Sequence, residues 1–127
     1  MTNSEQPGGS AASDAVAAPD LSAAQNLSAA LDQIWVRFLP EILARVEILE
    51  AAAAASGTIE LWTAQREAAH AAAHKLAGTL GTFNLGRGTE IAREFELVLS
   101  KEDIPDSSVA ERLASLAAEL RATVEGR

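Results

Sequence analysis

The sequence predicts an all-α fold, an up-down antiparallel four-helix bundle with an additional short N-terminal helix. Three observations carry that expectation. Hydrophobic residues make up 48% of the 127-residue chain but aromatics only 4%, so the core must be built from Leu, Ile, Val and Ala, a composition that suits helices. Apolar residues recur at three- and four-residue steps through most of the chain, the spacing of one helix face. Alternating segments rich in Val, Ile, Thr and aromatic residues, the mark of strands, are missing.

Residues 1–20 contain the breakers Pro7, Gly8, Gly9 and Pro19 and show no apolar period; they are expected to be a disordered leader. The helical domain is expected over residues 21–127, one domain by length. Its first helix starts near Ser22, with Asp20 or Ser22 as N-cap, and carries the stripe Leu27, Leu31, Ile34, Trp35 and Phe38. Pro40 lacks an N–H and disfavours helix at Leu39. A break is therefore expected there, with Pro40 opening a second helix; one kinked helix is the alternative.

The second helix, residues 40–55, presents Leu43, Val46, Ile48 or Leu49, and Ala53 to the core, and Ser56, Gly57 and Thr58 end it. The third runs over residues 59–82. Residues 84–88 read as a loop because Gly86 and Gly88 flank Arg87, and Gly88 or Thr89 caps a fourth helix with the stripe Ile91, Phe95, Val98 and Leu99. A turn at Ile104 and Pro105 precedes the last helix, capped by Asp106 or Ser107 and striped by Val109, Leu113, Leu116, Leu120 and Val124. Trp35, Phe38 and Phe83 are expected in the core.

The stretch over residues 68–83 concentrates the chemistry. On a wheel of about 100° per residue, Leu61, Ala68, Ala72, Leu76, Leu80 and Phe83 form a packing stripe. With Ala72 at zero, His70 and His74 lie at roughly 160° and 200°, and Gly81 and Gly78 at roughly 180° and 240°. Each glycine costs a helix about 1 kcal/mol relative to Ala. Beside a solvent-facing imidazole, that cost fits a surface where a second molecule must come close.

The run from His74 through Lys75, Leu76, Ala77, Gly78, Thr79, Leu80, Gly81, Thr82, Phe83, Asn84 and Leu85 to Gly86 resembles the signature of histidine-containing phosphotransfer (HPt) domains. The resemblance is strongest over residues 68–96. It implies a helical bundle in which His74 accepts a phosphoryl group and exchanges it with an aspartate of a response-regulator receiver domain. The partners so implied are a receiver domain, a hybrid histidine kinase, or both. No cofactor of the chain's own is implied, and the Mg²⁺ belongs to the receiver. The chain departs from the family at the Lys often found three residues after the His, which is Ala77 here. The nearby cation is Lys75, about 100° round the helix from His74. His70, Ala77, Gly78, Gly81 and Arg87 are expected on the docking surface, with Lys75 supporting the phosphoryl group.

Other readings stay open. His70 and His74, one helical turn apart, resemble a two-ligand metal clamp, with Glu67 a third donor. A purely structural or interaction bundle, with an incidental His face, is the second alternative. Enzymatic turnover is not expected, because no Ser/His/Asp set or phosphate-cradling Gly loop is present. Glu90, Glu94 and Glu96 read as a solvated acidic face. A net charge of -8 and a pI near 4.7 argue against nucleic acid as partner. The absence of Cys excludes thiol chemistry. No apolar run is long enough to span a membrane and no signal peptide is apparent, which makes the cytoplasm the default.

Overall fold

A computed structural model describes the backbone of residues 12–127 and the side chains from residue 22 onward. The chain is all-α, a helical bundle of four helices: α1 (Ala12–Ala54), α2 (Ile59–Thr82), α3 (Gly86–Leu99) and α4 (Ser107–Glu125). A 3-10 turn, Ala55–Gly57, follows α1. No strand occurs among the described residues.

The two expected N-terminal helices are one. α1 runs through Pro40 without a break, and it begins at Ala12 rather than at a cap on Asp20 or Ser22. The break was inferred from the hydrogen bond that Pro40 cannot make, a loss of about 3 kcal/mol. Just beyond Pro40, Ile42, Val46, Leu49 and Ala53 are buried in helical register, and each large side chain returns roughly 1.5–3 kcal/mol on burial. Burial wins. Residues 1–11 of the expected leader lie outside the described residues.

Two compact units divide the described chain. In the first, which ends at Arg37, Leu27, Ile34 and Val36 are exposed and Trp35 is buried. The second, Phe38–Arg127, holds the last part of α1 with α2, α3 and α4. Phe38, expected in the core, is exposed, as is Ile48, whereas Ile42 and Leu49 are fully buried. The chain turns back at each connection. Gly88 of α3 meets Leu80 of α2, while farther from the turn Arg66 reaches the Leu99 carbonyl. Glu94 and Arg112, then Arg87 and Glu119, pair α3 with α4 in opposite order.

The α2–α3 turn does not use its glycines. Asn84 takes the left-handed conformation at φ 65°. The Leu85 N–H donates to the Leu80 carbonyl and the Asn84 N–H to Gly81, the paired bonds of a Schellman C-cap. α3 therefore starts at Gly86, not at a cap on Gly88 or Thr89. Gly88 instead permits close packing, since a Cβ there would lie 2.9 Å from Leu80 Cδ1. At α4 the expected cap is present: Asp106 accepts the Val109 N–H at 2.9 Å.

Arg121 of α4 grips Glu50 of α1 with two bonds, 2.7 and 2.9 Å, and its hydrogen bonds hold the Glu50 carboxyl below its ordinary value. Glu94 and Glu119 are lowered in the same way by Arg112 and Arg87. A depressed folded pKa stabilises the fold fully above the unfolded value of 4.5 and loses that stability as pH falls through the folded pKa. Urea unfolding from neutral to about pH 3 is expected to show a flat plateau, then a fall below roughly pH 4.5. Arg121→Gln should lower the plateau and shrink the fall; an unchanged profile would separate this ion pair from acid stability.

Candidate functional site

The packing stripe of α2 decides what the helix shows to solvent. Trp62, Ala69, Ala72, Ala73, Leu76, Ala77 and Leu80 are its buried residues. This stripe is centred about 70° round from Ala72. Leu61 and Ala68, expected to pack, are exposed, and Trp62 packs in place of Leu61. Alanine on several faces made the two orientations hard to separate by hydropathy. The rotation also corrects Ala77: it is buried, its carbonyl accepts a hydrogen bond from Thr89 Oγ1 at 3.2 Å, and it offers no docking surface.

His74 stands on the outward face with 73% of its side chain exposed. Its Nδ1 lies 2.7 Å from Glu96 Oε2 on α3. With the Glu96 carboxylate as acceptor, Nδ1 donates, and in the neutral ring the lone pair then lies on Nε2. The carboxylate also limits rotation of the imidazole. The sequence places Glu96 only on a solvated acidic face; the structure gives it His74 as partner. A helical hairpin turning at residues 83–85 sets position 74 opposite the mid-nineties; a hairpin between the two helices is the only signal in the sequence that points there.

Two open cavities flank this ridge. On the α1 side, a cavity of about 410 Å³ brings His74, Lys75, Gly78 and Thr82 together with Glu41 and Arg45. Arg45, which the sequence did not single out, pairs with Glu41 at 3.0 Å and is 20% exposed. On the α3 side, His70 lines a cavity with Arg93, Glu96 and Ser100. His70 is half-buried there, beside the His74–Glu96 pair.

Nothing lies within 4 Å of a Cβ built on Gly78, whereas one on Gly81 would meet Thr89 Oγ1 at 3.6 Å. Gly78 is thus the glycine that leaves clear space beside His74. Gly78→Ala is expected to raise stability by about 0.5–1 kcal/mol through helix propensity, read from the urea midpoint. Gly78→Gln is expected to fold equally well yet slow exchange with a docked partner; unimpaired exchange would show that clearance at this position is not needed.

Arg87 is engaged away from the His74–Glu96 pair. Its guanidinium makes two bonds to Glu119 at 2.6 and 2.9 Å and a third to Glu90 at 3.3 Å, which raises its pKa above the ordinary value. It also lies roughly 13 Å along α3 from Glu96. It ties α3 to α4. Among the described residues no three His, Asp or Glu side chains gather to hold a metal ion, so His70, His74 and Glu67 do not form a three-ligand site. No helix among the described residues is long and apolar enough to cross a membrane.

The Hpt domain family model matches residues 33–125. Protein RcaC of Microchaete diplosiphon is 39% identical over 72 residues, 57% of this chain and 11% of that protein. The chain thus spans about a tenth of the length of that relative. No solved structure matches. With most of its length matched, the chain belongs to the Hpt domain family, the phosphocarrier modules of phosphorelays.

Proposed function

We propose, from the premise that the chain is an Hpt domain, that His74 is its phosphoryl acceptor and that it exchanges the group with an aspartate of a receiver domain. The observation that carries this reading is the His74–Glu96 pair on an exposed face: one ring nitrogen is occupied at 2.7 Å, and His74 shares an open cavity with Gly78, where a Cβ would meet nothing within 4 Å. The Nε2 lone pair attacks phosphorus of the receiver's aspartyl phosphate. The N–P bond forms as the P–O bond to the aspartyl carboxyl breaks, and the electron pair leaves with the carboxylate. The Nδ1 proton stays on the ring, and Glu96 offsets the positive charge that the imidazole then carries.

Run backwards, the same charge makes the imidazole a good leaving group, so the chain suits transfer in both directions. The Mg²⁺ that such an exchange uses is the receiver's. The chain acts as a carrier without turnover of its own, a histidine kinase or a receiver domain being its partner. Lys75, on the α1 side of His74, attracts the phosphoryl charge.

The test is to incubate the full chain with a phosphorylated receiver domain and to read intact mass and peptide maps. One acid-labile, base-stable phosphoryl group on His74 is expected. Phosphate at His70, or none with any receiver or small acyl phosphate, would overturn the assignment.

A further inference from the structure

Glu96 occupies His74 Nδ1 on the α3 flank, so a group carried by Nε2 sits on the part of the ring turned away from Glu96. The opposite flank of α2 is the cavity that Lys75, Gly78, Glu41 and Arg45 share with His74. A phosphoryl group brings about 1.5 to 2 negative charges to a protein already at -8. Two carboxylates, Glu96 and Glu41, are near it. The cations of this cavity are Lys75 and Arg45.

Arg45 is built for such an exchange. Its guanidinium presents forked donors that match phosphate oxygens, on a long flexible stem. Its ion pair, one 3.0 Å contact to Glu41 a turn away on the same helix, is of a kind worth about 0.3–0.5 kcal/mol. A dianion in the same cavity outbids a single carboxylate.

We propose that Arg45 is a phosphoryl-binding residue: when His74 is phosphorylated, its guanidinium leaves Glu41 and, with Lys75, holds the phosphoryl oxygens. This rests on the reading of His74 as acceptor. The exchange makes and breaks ion pairs only. It gives α1 a direct part in the energetics of the phosphorylated state, and it makes Glu41 the resting partner that the phosphoryl group displaces.

The experiment measures the equilibrium constant for phosphoryl exchange between the full chain and a receiver domain charged with a small acyl phosphate. A residue that only aids docking changes the rate of exchange and leaves this constant alone. Arg45→Gln is expected to lower phospho-His74 at equilibrium about three- to tenfold, the scale of one partly exposed charge-assisted contact. Arg45→Lys should retain most of it. Glu41→Gln should raise it about twofold, because a competing and repelling carboxylate is gone. Circular dichroism checks that each variant is folded. A constant for Arg45→Gln within about twofold of the unchanged chain's, the ordinary scatter of surface substitutions, or a fall rather than a rise for Glu41→Gln, would overturn the proposal while leaving His74 as acceptor. Failure of the unchanged chain to take up phosphate on His74 would overturn both.

Discussion

Replacing His74 by Gln is expected to abolish phosphoryl acceptance and leave the bundle intact. The side chain is 73% exposed and contributes nothing to the core. The stability change should stay within about 0.5 kcal/mol, as for surface positions generally. The chemical loss is of another order. Gln has no nitrogen lone pair able to attack phosphorus, so uptake should fall by roughly 10³-fold or more, the usual effect of removing a nucleophile.

His70→Gln is the necessary comparison. His70 lines the cavity on the α3 side with Glu96 and carries no direct contact to His74 among the hydrogen bonds described. Its replacement should alter the rate of exchange while the modified residue stays His74. Stopped exchange followed by peptide mapping separates the two variants. Equal loss from both would undo the division of roles between them.

Trp62→Ala is expected to have the largest effect on stability. Trp62 is among the largest fully buried side chains, and truncation of a core aromatic to Ala costs about 3–5 kcal/mol. Domains of this size unfold with roughly 5–15 kcal/mol, so the variant should lose a third or more of its stability and show a much lower urea midpoint. The indole Nε1 finds no hydrogen-bond partner among the described residues, and a buried unpaired donor carries a desolvation penalty of about 1–3 kcal/mol. Trp62→Phe should therefore cost much less than truncation, since it removes the penalty together with part of the ring. A loss equal to that of Trp62→Ala would mean that the N–H does have a partner.

The division between what could be read and what could not follows the range of the forces involved. Helix content, the existence of a turn after α2, the Asp106 cap and the exposure of His74 rest on local chemistry. Periodicity, propensity and capping act within a few residues, so the sequence determined them. The stripes on α3 and α4 were legible because Ile91, Phe95 and Leu99, then Leu113, Leu116, Leu120 and Val124, stand out against polar neighbours. On α2 the contrast is weak. Alanine lies on several faces, and the choice of Trp62 and Ala77 over Leu61 and Ala68 depended on which side the neighbouring helices covered.

Three further decisions belong to the tertiary structure alone. Pro40 predicts a helix end locally, yet α1 runs through it, with Ile42, Val46 and Leu49 buried beyond. Arg87 is an available cation in the sequence until α4 brings Glu119 to it. Glu96 is one of several acidic residues on α3 until the hairpin sets its carboxylate 2.7 Å from His74 Nδ1. By itself the sequence determined that one face of α2 carries two imidazoles beside two glycines; the structure left His74 the more exposed imidazole and Gly78 the glycine with clear space. Only packing between helices decided which carboxylate orients that imidazole and which cation shares its cavity, because those contacts join residues far apart in the chain and arise once the apolar faces have closed on one another.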